Sequence, residues 1–330
     1  VGALIVGDEL FDADGRVCHV AGVGPVREGR SCFRITFDDG TSIVADGSHT
    51  WTVEERGKRM DPTWQWTLKP VTTAELTPKK HYIWRARPLD LPDVDLPIHP
   101  YVLGVWLGDG TSESSGITQG VGDVEEMRTQ LTAVGCELKP NQKNNQAYAE
   151  TFTVRRLRPK LRSLGVLSNK HIPTSYLRAS FGQRLMLLQG LMDTDGSISA
   201  TLRLCEFTTI LPRLRDGFAG LLPTLGIRAK YVVRPPRYTR FPSGKKYSTA
   251  ESFQFHFTCP AGLQVFRLPR KRALAERAWR RHPRRTARHG IALVKSVSSA
   301  RVKCIVTSSE SHLYLVGSAM VPTHDSSIAK

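Results

Sequence analysis

Two stretches of the chain carry residues suited to chemistry: "VLGVWLGDG" (102–110) and "LQGLMDTDG" (188–196). Each is an apolar run with small residues at helical spacing (Gly104 and Gly108; Gly190 and Thr194) that ends in an acid and a glycine. An acid at a helix C-terminus is unfavourable by itself, because that end carries partial negative charge. A single Asp-Gly would be an ordinary helix-ending turn. Two copies on similar helices, a domain-sized interval apart, point to a shared purpose. Residues at i and i+4 lie on one helix face, and small ones let a second backbone approach. Two such helices packed on their small faces would bring Asp109 and Asp195 together. Adjacent carboxylates repel unless a cation lies between them, and hard oxygen ligands suit Mg2+. In a basic protein, paired acids plus metal suggest phosphodiester hydrolysis, in which the metal activates water and stabilises the leaving oxygen.

The balance of 47 Lys and Arg against 30 Asp and Glu gives +17 over 330 residues, a charge suited to a polyanion such as nucleic acid. The 40% hydrophobic and 8% aromatic content is that of a globular protein with two or three domains. No run reaches the ~18 apolar residues of a membrane span, and no cleavable signal pattern opens the chain. The expectation is therefore a soluble intracellular protein with no membrane partner, working in the cytoplasm or nucleoid of a bacterial or phage-infected cell. The 6 cysteines are scattered singly with no C-x-x-C pair, which argues against a structural zinc or a disulfide framework.

The elements that must position the two motifs follow from pattern. Up to about Leu91 the chain is short, alternating and turn-punctuated, as in "HVAGVGPV" and "CFRITFDDGTSIVADGSHTWTV", which predicts a β-rich unit with a hairpin at Asp-Asp-Gly. A boundary follows in "RPLDLPDVDLPIHP", where Pro88, Pro92, Pro97 and Pro100 forbid a continuous helix. Helices then alternate with polar strands: "YVLGVWLGDG", "DVEEMRTQLTAVG", "LRPKLRSLGV" and "SFGQRLMLLQGLMDTDG" read as helices, "AYAETFTVRR" as a strand. The order repeats, with "LPRLRDGFAGLLPTLGI" and "AGLQVFRLPRKRALAERAWRR" as helices and "RAKYVVRPPRYTR" and "STAESFQFHFTC" as strands. The final residues return to β character. A β unit interrupted by an inserted α/β domain explains that return.

The two motifs resemble those of the LAGLIDADG homing endonucleases, and the flanking segments resemble the splicing domain of inteins that carry such endonucleases. The resemblance implies an α+β chain in which a pseudo-twofold duplicated αββαββα endonuclease domain is inserted into an all-β Hint-type domain. The expected boundaries are 1–95 for the first β part, 96–290 for the endonuclease (repeats about 96–180 and 181–290), and 291–330 for the second β part. It places the metal set at Asp109, Gly108, Asp195 and Thr194, with Mg2+ as cofactor and Mn2+ as a substitute. Asp193 occupies a motif position that holds Leu107 in the first copy, and reads as incidental. The basic residues near the active-site water would be Lys170, in "SNKHIPTSYL", and Lys271, in "FRLPRKRAL". DNA would be read by the strands of each half, through Arg155, Arg156, Lys230, Arg234, Arg237, Tyr238, Arg240, Lys245 and Lys246. The tract holding Arg284 and Arg285 reads as a sequence-independent phosphate clamp.

In the intein-like flanks, "VADGSHTW" resembles the block with the assisting histidine, His49, and "HLYLVGSAMVPTHDS" resembles the C-terminal blocks, with His312, the penultimate histidine His324, then Asp325 and Ser326. The chain opens at Val1, inside the pattern, without the attacking Cys or Ser. Asp325 stands where the pattern usually has Asn, and Asp offers no amide nitrogen for cyclisation. Both departures imply that self-splicing is lost. The expected activity is site-specific hydrolysis of double-stranded DNA at a long asymmetric site by a monomer. Two other readings stay open: a catalytically silent, maturase-like nucleic-acid binder, and a splicing intein with altered ends.

Overall fold

The computed structural model describes residues 2–60, 63–140, 148–199, 201, 204–240, 246–258, 262–281 and 288–325. The chain forms two compact units: one from Val1–Asp90 with Arg284–Lys330, the other from Leu91–Pro283.

The first unit opens with β1 (Glu9–Phe11), β2 (Val17–Arg27), β3 (Cys32–Phe37), β4 (Ser42–Asp46), β5 (Thr50–Met60), β6 (Thr63–Thr72) and β7 (His81–Trp84). The Asp-Asp-Gly hairpin forms between β3 and β4, with Gly40 at φ +92°, a left-handed value that suits glycine.

The second unit begins with α1 (Pro100–Asp109), β8 (Gly116–Gly120), α2 (Val124–Ala133), β9 (Leu138–Pro140), β10 (Ala149–Val154), α3 (Leu157–Ser163) and α4 (Thr174–Leu177). It continues with α5 (Phe181–Thr194), β11 (Gly196–Ile198), β12 (Leu204–Thr209), α6 (Pro212–Thr224), β13 (Lys230–Arg234), β14 (Tyr238–Arg240), β15 (Lys246–Ser248), β16 (Ser252–Thr258) and α7 (Pro269–Arg281). The second half follows the order αββαββα, with the β14 and β15 hairpin added. Its sheet runs β11-β12-β16-β13, and the first half's runs β8-β10-β9. The first half's opening strand is contracted to one bridge, Gly110 with Ile117, because the chain curls there: Thr111 N–H donates to Gly116 O at 2.8 Å and Ser114 N–H to Thr111 O at 3.1 Å. One hydrophobic core joins both halves, from Leu103, Trp106 and Phe152 to Leu191, Phe207, Phe218 and Phe266.

The chain then returns to the first unit with β17 (Arg288–Val297), β18 (Val302–Thr307), β19 (Leu313–Val316) and β20 (Val321–His324). Strand β17 sits between β3 and β7 in a six-stranded sheet, and β18 completes β1-β2-β18, so both ends of the chain build one fold. Ile35, Phe37, Trp51, Val53, Ile83, Ile291 and Val321 form its main core.

The α+β class holds. The units meet after Asp90 and Pro283, where the sequence reading drew 95 and 290. The second edge is earlier because Arg288, His289 and Gly290 already pair with Trp84, Ile83 and Tyr82 of β7. The long helix expected from Ala261 starts only at Pro269. Residues 262–268 hold no helix. Proline biases Leu268 away from helical backbone, and the N–H groups of Arg267 and Leu268 are bound to Asp193. Among the described residues no helix is long and apolar enough to cross a membrane.

Candidate active site

Helix α1 starts with Pro100 in its first turn, where a missing N–H costs nothing. Helix α5 is capped by a reciprocal pair: Gln183 N–H donates to Ser180 Oγ at 3.3 Å, and Ser180 N–H to Gln183 Oε1 at 3.2 Å. The two helices pack on their small faces. A Cβ on Gly104 would run into the Leu187 carbonyl, one on Gly190 into the Tyr101 carbonyl, and one on Gly108 into the Thr194 hydroxyl.

This packing brings the helix ends together. A methyl on Gly108 would lie 3.5 Å from Asp195 Oδ2, so the second acid stands beside the last turn of α1. Burial, and then the charge of Asp195, push the Asp109 carboxyl up to about 6; Lys271 and Lys170 oppose the shift. Burial also raises Asp195, against the pull of Lys170 and Lys271. Two carboxylates that resist ionisation side by side are stabilised by a nearby cation.

Both lysines reach these helix ends. Lys170, between α3 and α4, donates from Nζ to Gly108 O at 2.9 Å and lies 5.2 Å from the centre of the Trp106 ring. Burial lowers it to about 8, although both acids favour its charge. Lys271, in the first turn of α7, donates to Gly196 O at 2.6 Å, Asp193 O at 2.7 Å and Met192 O at 3.0 Å, with Thr194 O at 3.5 Å. Burial lowers its pKa too. The ammonium groups thus meet the negative helix termini that the acids alone would aggravate.

Asp193 is not incidental. It is fully buried and accepts from Tyr101 Oη at 2.9 Å, Arg267 N–H at 3.0 Å and Leu268 N–H at 3.2 Å. The Arg267 guanidinium lies over the Tyr101 ring at 4.6 Å. Burial, as the leading cause, raises the Asp193 carboxyl to about 6. An acid inside an apolar helix was the only available signal; its partners lie 74 to 92 positions away.

The expected DNA contacts fall into three groups. Lys230 and Arg234 lie on the exposed strand β13, beside His256 and Ser252 of β16, and Arg234 Nε donates to Gln254 Oε1 at 2.7 Å. Arg237 precedes the β14 and β15 hairpin, and Tyr238 on it is 83% exposed. Arg240 and Lys246 pair through their backbones there; their side chains, like Lys245, Arg284, Arg285 and Ser326 entirely, lie outside the described residues. Arg155 and Arg156 are not on a strand, as the sequence reading had them: β10 stops at Val154, and Arg156 turns left-handed at φ 57° to begin α3.

In the first unit, His49 Nε2 and Thr323 Oγ1 share a 2.5 Å hydrogen bond. Burial, and then His324, lower His49 to about 4. Burial lowers His324 as well. Asp325 Oδ2 accepts from Thr307 N–H at 2.9 Å and from its hydroxyl at 3.1 Å, and Oδ1 lies 3.4 Å from His312 Nδ1. Sequence reasoning missed Thr323, which has no distinguishing motif.

Residues 182–252 match the family model described as the LAGLIDADG-like domain. The match includes the motif ending at Asp195 and not the one ending at Asp109. Among curated proteins, the chain is 35% identical over 348 residues to the replicative DNA helicase DnaB of Mycobacterium intracellulare, covering 99% of this chain and 56% of that protein. It is also 45% identical over 51 residues to DnaB of Mycobacterium leprae (strain TN), 16% of this chain and 8% of that protein. The chain therefore spans about half the length of the first of these relatives. Among solved structures, the MchDnaB-1 intein is similar at TM-score 0.30 and 13% identity, over 98% of this chain and 87% of that one. The I-DmoI structure in complex with DNA and Ca is similar at TM-score 0.35 and 13% identity, over 55% and 97%.

Proposed function

We propose that the second unit is a divalent-metal-dependent endonuclease for double-stranded DNA. The observation that carries this reading is the pair of acids, Asp109 and Asp195, brought together at the ends of helices packed glycine to backbone. The LAGLIDADG-like domain over 182–252 supports it.

The residues present fit a hard cation. Two carboxylates lie together, with the Gly108 and Thr194 carbonyls at their sides. The Gly108 oxygen keeps a second lone pair beyond its bond to Lys170. Among the described residues no group of three or more His, Cys, Asp or Glu could hold an ion. Asp109, Asp195 and those carbonyls would thus leave coordination positions for DNA phosphate and water. Mg2+, or Mn2+ in its place, would supply an activated water and charge compensation at the leaving oxygen. The chain's own part is to hold both acids ionised and aligned, and to keep lysine ammonium charge beside the phosphate. Lys230 and Arg234 on β13 would grip the DNA backbone or base edges. The two halves present different sheets to the duplex, which suits a long asymmetric target read by one monomer.

Selection of cut sequences from a randomised duplex library with Mg2+ tests the activity and identifies the site. Asp195→Asn should slow cleavage of that site by more than about 100-fold and leave DNA affinity within a few-fold. Undiminished cutting by this variant would overturn the assignment.

The first unit supports a second role for the chain, as an intein-like element inside a DnaB-type precursor. Its fold is built from both ends of the chain and gathers His49, Thr323 and His324 at one place. The similarity to a helicase covers this whole chain, yet the sequence contains no G-x-x-x-x-G-K-[ST] phosphate loop. Helicase chemistry would therefore belong to the remainder of such a protein. At the C-terminal junction Asp325 lacks the amide nitrogen that cyclises, so we expect no splicing there. Asp325→Asn in a chain with restored flanks should produce ligated flanks if that residue is the block; their absence would show that it is not the sole one.

A further inference from the structure

The two lysines of the site end on helix-terminal carbonyls with different completeness. Lys271 Nζ makes three bonds of 2.6, 2.7 and 3.0 Å, to Gly196 O, Asp193 O and Met192 O. An ammonium has three N–H donors, so these bonds use all of them. Lys170 Nζ makes one hydrogen bond among the described residues, to Gly108 O. Two of its donors stay open beside Asp109 and Asp195, whose charges act on it.

The segment that carries Lys271 is also latched from the other side. Asp193 Oδ1 accepts both the Arg267 and Leu268 N–H groups, and Oδ2 accepts from Tyr101 of α1. This fixes the approach to Pro269, and with it the first turn of α7. In the first half Leu107 stands at the position of Asp193, and no carboxylate there can latch the stretch bearing Lys170.

We propose a division of labour between the lysines, resting on the nuclease reading: Lys170 is the catalytic lysine, and Lys271 is a positioning residue that pins the end of α5, and so Asp195, with Asp193 as its latch. Lys170 turns its two open N–H groups toward a non-bridging oxygen of the scissile phosphate. It stays an ammonium throughout and strengthens its hydrogen bonds as charge builds on that oxygen. No proton is transferred in this role.

The test uses the full chain, with Lys170→Met and Lys271→Met compared by melting midpoint, duplex affinity in Ca2+, and single-turnover cleavage across a Mn2+ series. Lys170→Met should melt and bind like the wild type and cut more than about 100-fold slower, at every Mn2+ concentration. Lys271→Met should melt about 6 °C or more lower and recover most of its rate at high Mn2+, because misplacing Asp195 weakens metal binding. Two results overturn the proposal: a Lys271→Met that melts normally and is slow at all metal concentrations, or a Lys170→Met that cuts within threefold of wild type. Should Lys271→Met not fold, Asp193→Leu loosens the latch and keeps the amine. It should give a lower midpoint and a metal-recoverable rate; a metal-independent loss contradicts the latch. If the wild type cuts no DNA, the nuclease reading fails and the Lys170 half with it, while the melting of Lys271→Met and Asp193→Leu still decides whether Lys271 pins α5.

Discussion

In the first half of the second unit, Leu107 precedes the terminal acid by two positions, Gly110 makes a single bridge, and the outward sheet positions among the described residues include Thr118, Thr151, Thr153 and Lys139. In the second half the same places hold Asp193, the three-residue strand β11, and Glu206, Gln254 and His256 beside Lys230 and Arg234. The helices themselves match closely: Gly104 corresponds to Gly190, the small residue Gly108 to Thr194, and Asp109 to Asp195. Duplication has thus kept what must meet at the centre, where a methyl group would collide with the neighbouring backbone. The peripheral residues differ between the halves, because there each half packs its own loops and side chains rather than a shared backbone contact.

The largest effect is expected at the contact between α1 and α5. Gly190→Val should destabilise the second unit by more than about 3 kcal/mol, seen as a lost or strongly shifted unfolding transition. Near-normal stability would mean that the helices do not meet at this glycine.

A smaller effect should come from pH. Asp109 and Asp193 have folded values of about 6, against an ordinary carboxyl value of 3.8. At these two acids the folded chain keeps protons that the unfolded chain has already released, so their contribution to metal-free stability falls as pH rises from about 4 to about 6 and then levels off, while His49, lowered to about 4, contributes in the opposite sense. Mg2+ should stabilise the chain more at pH 7 than at pH 5, since it binds the ionised pair. Asp109→Asn should lose stability less steeply than the wild type between about pH 4 and about pH 6 without metal; an unchanged slope would contradict the raised carboxyl of Asp109.

The mildest perturbation concerns the periphery. Lys230→Ala or Arg234→Ala should weaken duplex binding a few-fold and reduce the salt dependence by about one unit of log-log slope if the residue contacts a phosphate. Thr151→Ala in the first half should change that slope by much less. Equal effects from all three substitutions would mean that Lys230 and Arg234 have no special part in binding.

How much of this was legible depends on the range of the interactions. The helices ending at Asp109 and Asp195 were readable because apolar and small residues recur at helical spacing, a property local to each stretch. The Asp-Asp-Gly hairpin was readable for the same reason. The role of Asp193 was not, since its meaning lies in Tyr101, Arg267 and Leu268, far along the chain. The non-helical 262–268 segment was misread because Val265, Phe266 and Leu268 look like a helix face. They are buried instead along an irregular approach to Pro269. Arg155 and Arg156 were placed on a strand by alternation, which cannot reveal the left-handed turn that ends it.

On the proposed reading, Asp109 and Asp195 hold one cation between two helices. Electron paramagnetic resonance of Mn2+ titrated into the full chain on its selected duplex tests it most directly, with Asp109→Asn and Asp195→Asn alongside. A shared site predicts that each substitution alone weakens Mn2+ binding by about tenfold or more; wild-type binding in either variant would show that the two acids do not hold a common ion.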